Sequence, residues 1–162
     1  ITVNNKQLFE QIKEQITELK KENSELNLQE KELMQKYNLD QQIEKIHERK
    51  IWLKCGGFIT IDKTEALTAI DVNSGKYTGK SKENKELALL RVNKEATVEI
   101  AKQIRLRNIS GIIVIDYIDM QKDEERQQIL NLLNKELKKD RSKTQVVGFT
   151  QLDLLEMTRK KL

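Results

Sequence analysis

Apolar residues recur at helical spacing in the first third of the chain and gather into short unbroken runs beyond it, the change falling near residue 55. Leu8, Ile12, Ile16 and Leu19 stand three or four apart among charged residues, so an amphipathic helix is predicted over 6–22. A second polar helical stretch is predicted over 29–49, broken near 37–40, with Leu39, Ile43 and Ile46 on one face. Almost nothing before residue 55 signals strand.

After Cys55-Gly56-Gly57 the pattern shortens. Residues 58–62 and 66–71 are β-type runs joined by Lys63-Thr64-Glu65, the pattern of a hairpin. A polar loop over 72–82 leads to a helix predicted over 85–107, with Leu89, Ala96, Ile100 and Ile104 on one side. Residues 111–116 form a continuous apolar run, expected of a strand buried on both faces. A helix over 122–139, a strand over 145–149 and a short helical tail to residue 162 complete the prediction. The order implies an α/β fold: a mixed sheet with a β-hairpin and parallel crossover strands, flanked by helices and preceded by a helical segment. Two domains are expected, 1–54 and 55–162.

Composition narrows the chemistry. The 162 residues include one Cys, one His and no Pro. Cys55 and His47 are two candidate zinc ligands where a zinc site needs about four, so no zinc is expected. Hydrolytic chemistry points instead to carboxylates and a metal. No apolar run approaches the roughly 18 residues of a membrane span and no signal peptide is seen, so a cytoplasmic protein without membrane contact is expected. The chain opens on Ile1 rather than Met and reads as a piece of something longer. Basic and acidic side chains number 10 and 10 over 1–54, 10 and 9 over 55–120, and 10 and 7 over 121–162. The net +4 permits contact with a polyanion without demanding it.

Asp71 and Asp116 end two strands that flank one crossover helix. A right-handed crossover points both strands the same way and puts their C-terminal ends along one sheet edge, where α/β sites are built. Two readings stand for the pair: separate turn caps, or converging ligands for a hard cation such as Mg²⁺. Asn73 reads as a turn residue or as a carboxamide that orients a carboxylate. Asp62 belongs to the hairpin, and Asp119 is a candidate N-cap for the next helix. Gly75 to Ser81 resembles a phosphate-binding loop, but has three residues between its glycines where that motif has four. Its Lys76 and Lys80, with Arg141 and Lys143 ahead of the strand over 145–149, are the candidates for contact with a nucleic-acid backbone. Further basic groups are Lys102, Arg105 and Arg107, and Arg159 to Lys161. Aromatic residues are 4% of the chain, which argues against base stacking as the main binding mode. Trp52 and Tyr117 are read as packing residues, His47 as a helix-surface residue and Cys55 as inert.

Two long segments, Gly56-Gly57-Phe58-Ile59-Thr60-Ile61-Asp62-Lys63-Thr64-Glu65-Ala66-Leu67-Thr68-Ala69-Ile70-Asp71-Val72-Asn73-Ser74-Gly75 and Gln103 to Met120 with its Ile115-Asp116-Tyr117-Ile118-Asp119-Met120, resemble the catalytic core of the ribonuclease E/G family. The ending Leu154-Leu155-Glu156-Met157-Thr158-Arg159-Lys160 is similar as well. The resemblance covers roughly 55–162, the DNase I-like subdomain, and more faintly 1–54, the end of an RNase H-like subdomain. It implies an endoribonuclease of RNA processing and mRNA decay that cuts single-stranded RNA and leaves 5′-monophosphate and 3′-hydroxyl ends. Asp71 and Asp116 match the family's magnesium ligands, with Mn²⁺ an allowed substitute, and Asn73 matches its assisting polar residue. Lys143 stands where the family often has an Arg associated with the RNA backbone. The family's S1 and 5′-sensor domains and its zinc-link do not occur in these residues; the first two are expected in the parent protein. The resemblance also leaves open a homodimer, and a non-catalytic RNA-binding or dimerisation fragment is the alternative reading.

Overall fold

The computed structural model describes residues 1–18, 25–29, 32–75 and 82–161, without the side chains of 18 and 82–84. The chain divides into two compact units, Ile1–Lys45 and Ile46–Leu162. In the first, strands β1 (Thr2–Val3) and β2 (Asn27–Leu28) pair in parallel beside helix α1 (Lys6–Glu18). Asn5 sets the start of α1, its Oδ1 accepting from the Leu8 amide at 3.0 Å, an N-cap that satisfies a donor the helix cannot. The predicted break is found: α2 (Leu33–Lys36) and α3 (Leu39–Ile46) are separated by Tyr37 and by Asn38, whose φ is +49°.

The second unit is built on a six-stranded sheet in the order β3-β4-β5-β6-β8-β7: β3 (Lys50–Trp52), β4 (Phe58–Lys63), β5 (Leu67–Asn73), β6 (Gly111–Asp116), β7 (Thr144–Phe149) and β8 (Leu154–Arg159). Only β5 and β6 pair in parallel; the other neighbours are antiparallel. The expected hairpin is β4–β5. Thr64 closes it, its amide and hydroxyl both donating to the Leu67 carbonyl at 2.9 and 2.8 Å. The sheet starts at Lys50, just after the stretch predicted as helical and ahead of residue 55, where strand was expected to begin.

Two further expectations are corrected. Residues 154–159 are not a helical tail but β8, inserted between β6 and β7. Their pattern has period two, with Leu155, Met157 and Arg159 buried and Glu156 and Thr158 exposed. Strand β6 is not buried on both faces: Ile113 and Ile115 are fully buried, while Ile112 is 50% exposed. Helices α4 (Lys82–Leu106) and α5 (Asp123–Leu137) supply the core from one side. They bury Val92, Ala96, Ile100 and Ile104, and Ile129 and Leu133, against Ile59, Ile70, Ile113, Ile115, Leu155 and Met157. The opposite face carries Asp71, Asp116 and Glu156, all exposed. Burial on one face only gives alternation rather than a continuous apolar demand.

Arg159 clasps the far end of the sheet. Nε and Nη2 donate to the two Asp140 oxygens at 2.8 and 3.2 Å, and Nη1 to Asn108 Oδ1 at 2.8 Å and the Ile109 carbonyl at 3.0 Å. Both partners of the ion pair are buried, with side chains 1% and 3% exposed. The basic group Arg159 to Lys161 therefore contributes its Arg to the interior.

Candidate active site

Asp71 and Asp116 are register partners on the parallel strands β5 and β6. Their inward neighbours Ile70, Val72 and Ile115 are buried, so period-two alternation sends both aspartates out of the uncovered face. Adjacent strands lie about 4.8 Å apart, which places the two backbones within reach of one small ion. Strand β5 runs two residues past Asp71, and Asn73 then stands on the same face, its Nδ2 donating to Asp71 Oδ2. Partial desolvation against the sheet, and then the charges of Asp71 and Asp119, push the exposed Asp116 carboxyl above its ordinary pKa.

Backbone contacts hold this edge. A Cβ on Gly57 would lie 2.7 Å from the Asn73 carbonyl oxygen and 2.9 Å from Val92 Cγ1, and one on Gly75 would lie 2.5 Å from the Gly56 oxygen. Glycine at both positions lets 55–57 touch the end of β5, and Gly75 also has φ +60°. The Glu95 carboxylate of α4 accepts from the Lys54 and Cys55 amides.

The loop after Asp116 is tied to α4 by a residue the sequence reading passed over. Asn93, fully buried, donates from Nδ2 to the Ile118 carbonyl at 2.7 Å and accepts the Ile118 amide on Oδ1 at 3.1 Å. One turn on, the Thr97 hydroxyl lies 2.9 Å from that of Tyr117. A polar Asn on the stripe that includes Ala96 and Ile100 was the available signal. Tyr117 is a packing residue as expected, and burial pushes its hydroxyl pKa up. Trp52 is not: it is 63% exposed.

The other candidates sit elsewhere. Lys143 immediately precedes β7, whose Thr144 pairs with Arg159, which pairs with Gly111 at the start of β6. Asp116 is at the other end of β6, five residues on, roughly 17 Å at 3.3 Å per residue. Arg141 lies at that far end too, lining a cavity of about 200 Å³ with Arg105, Lys139, Asp140 and Arg159. Lys76, Lys80 and most of the loop Gly75 to Ser81 lie outside the described residues. Asp62 pairs with Arg49 at 2.5 and 2.6 Å. Helix α5 starts after Lys122, which corrects the expectation that Asp119 is its N-cap. His47 is exposed, and burial pushes the Cys55 thiol pKa up.

The donor set at Asp71, Asp116 and Asn73 consists of oxygens, with no sulfur or imidazole in the cluster. Among the described residues no group of three or more His, Cys, Asp and Glu forms a metal cage, and no helix is long and apolar enough to cross a membrane. Two carboxylates suit a hard divalent cation that completes its shell with water and phosphate oxygens.

Comparison with known proteins agrees with the motifs. The model of the Ribonuclease E/G family matches residues 1–162. The chain is 46% identical to Ribonuclease G of Escherichia coli (strain K12) over 125 residues, 77% of this chain and 25% of that protein. It is 47% identical to Ribonuclease G of Haemophilus influenzae over 125 residues, with the same shares. It is 40% identical to Ribonuclease E of Synechocystis sp. over 129 residues, 80% of this chain and 19% of that protein. The chain thus spans a quarter or less of these relatives' length.

Proposed function

The chain belongs to the ribonuclease E/G family, and from that premise we propose that it carries the catalytic carboxylates of a metal-dependent endoribonuclease that cuts single-stranded RNA. The observation that carries this reading is the register pairing of Asp71 with Asp116 on one uncovered sheet face. Asp71 and Asp116 would hold Mg²⁺ or Mn²⁺. When bound, such an ion supplies Lewis-acid stabilisation of phosphate charge and a more acidic water.

The chain's own residues prepare that site. Asn73 engages one oxygen of Asp71 and fixes the carboxylate plane, leaving the second oxygen for a ligand. Asp116 carries a carboxyl disfavoured as an anion by partial desolvation and by two neighbouring carboxylates, a local excess of negative charge that a divalent cation offsets. Asn93 and Gly57 position the two backbones that bear these groups. Hydrolysis with the 3′ oxygen as leaving group gives 5′-monophosphate and 3′-hydroxyl ends. Arg141 and Lys143 would meet RNA phosphates distant from the cut, and Lys76 and Lys80 are further candidates for phosphate contact on their sequence alone. In the parent protein, S1 and 5′-sensor domains and a homodimer would complete RNA capture in the cytoplasm.

The test is cleavage of a single-stranded RNA by the parent, Asp71→Asn and Asp116→Asn chains across a Mg²⁺ and Mn²⁺ series. Both variants are expected to fall to background while remaining folded by circular dichroism. Retained cleavage in both refutes the assignment. RNA binding by the parent chain with no cleavage at any metal concentration makes it an RNA-binding or assembly fragment instead.

A further inference from the structure

The face that bears Asp71 and Asp116 continues outward to an aromatic pair. Through successive register partners, Lys50 of β3 aligns with Thr60 of β4, Thr60 with Asp71, and Asp71 with Asp116. In the adjoining row Trp52 aligns with Phe58 and Phe58 with Asn73. Register partners share a face, so Lys50, Trp52 and Phe58 stand on the surface of the carboxylates. Strand β3 is two strands from β5, about 10 Å at the usual strand spacing.

The three side chains form one assembly. The Trp52 and Phe58 ring centroids are 5.2 Å apart at an interplanar angle of 60°. Lys50 Nζ lies 4.1 Å from the Trp52 centroid and 3.7 Å from that of Phe58. Among the described residues Lys50 has no carboxylate within ion-pair distance, so its charge rests on the two rings. A cross-strand aromatic pair and a lysine on an edge strand each have an ordinary structural use, the first in pairing and the second in keeping other strands away. Neither use requires an indole left 63% exposed. An exposed aromatic surface beside an uncompensated cation is complementary to a nucleobase attached to a phosphate, because every base has a π face and stacking tolerates any sequence.

We propose that Trp52 and Phe58, with Lys50 laid across them, form a base-stacking platform for an unpaired nucleotide of the RNA strand whose backbone runs to Asp71 and Asp116. This rests on the reading of that pair as RNA-cleaving. It assigns the substrate's single-strandedness to a feature of this chain: a base held in a duplex has no free face to offer.

Trp52 is the only tryptophan of the chain, so its emission reports the platform directly. The experiment titrates the chain with a single-stranded oligoribonucleotide and with an abasic strand of equal length and charge, in the absence of divalent cations and again with Ca²⁺. The base-bearing strand is expected to quench Trp52 and the abasic strand to bind without quenching. Trp52→Ala is expected to weaken binding of the base-bearing strand on the order of 5- to 20-fold, leave the abasic strand unaffected and leave the melting temperature in place. Trp52→Tyr is expected to restore most of the affinity. Equal quenching by both strands, quenching by neither, or equal loss of both in Trp52→Ala overturns the proposal. Emission that changes with protein concentration alone, as a second copy of the chain covering Trp52 would cause, also overturns it. Cleavage assayed in parallel separates the two readings: cleavage without quenching removes the platform and keeps the nuclease, and quenching without cleavage does the reverse.

Discussion

Replacing Asn93 by Leu keeps the branched shape of the side chain, at a somewhat larger volume, and removes its polar end. The parent Asn makes two hydrogen bonds to one residue, at 2.7 Å to the Ile118 carbonyl and 3.1 Å from the Ile118 amide. Leu offers neither, and both backbone groups lose their partner. An orphaned buried group costs about 1–3 kcal/mol. Ile118 is only half-buried, so water can serve one of the two, and the expected total is about 2–3 kcal/mol. At about 2–4 °C per kcal/mol for a protein of this size, the melting temperature should fall by roughly 5–10 °C. Thr97→Val, which removes the hydroxyl's bond to the Asn93 carbonyl and its contact with Tyr117, should cost about 1–2 kcal/mol. The assay is guanidinium unfolding combined with amide exchange, in which the Ile118 amide should lose its protection. Because that loop starts at Asp116 and includes Asp119, the variant should also require more divalent cation for half-maximal cleavage. Stability within about 0.5 kcal/mol of the parent, with Ile118 still protected, would refute the claim that Asn93 holds the loop.

Two other substitutions test the charges. Asp140→Asn leaves Arg159 buried without its counter-charge and should cost about 3–5 kcal/mol in denaturant unfolding. The Arg159 hydrogen bonds hold the Asp140 carboxyl below its ordinary pKa, so its contribution is present above about pH 4 and lost as pH falls through the lowered folded value. The gap between parent and variant should therefore be steady near neutrality and close in acid; a gap that widens in acid contradicts this. Asp116→Asn should raise the melting temperature without metal, since it removes an anion disfavoured by partial desolvation and by Asp71 and Asp119. Added Mg²⁺ should then stabilise the parent and not the variant, and equal stabilisation of both would show that the ion binds elsewhere.

What was legible in the sequence follows from local rules. The β4–β5 hairpin and the crossover from β5 through α4 to β6 announce themselves by run length and spacing, and a right-handed crossover leaves Asp71 and Asp116 little choice but one edge. Strand β8 was hidden because Leu154-Leu155-Glu156-Met157-Thr158-Arg159 is rich in residues that suit helices, and its period of two includes an Arg on the inward side. That inward Arg is explained by Asp140 and Asn108, both far away in sequence. With 154–159 taken as helix the sequence does not place Lys143 and Arg141, since among the described strands β7 joins the sheet through β8. Trp52 was obscured differently: strand β3 has three residues, too few to show a period. Asn93 could have been found, because a polar residue on an apolar stripe asks for a buried partner.

The position of β8 also sets an order of assembly. Among the described residues strand β7, which precedes it in the chain, pairs with no other strand, while β8 itself joins both β6 and β7. During synthesis β7 is therefore made before the strand it docks on and waits with its backbone groups unpaired until Arg159 has emerged. Strand β8 enters the sheet between two strands made before it, so this half of the sheet closes by insertion rather than by growing outward at its edge.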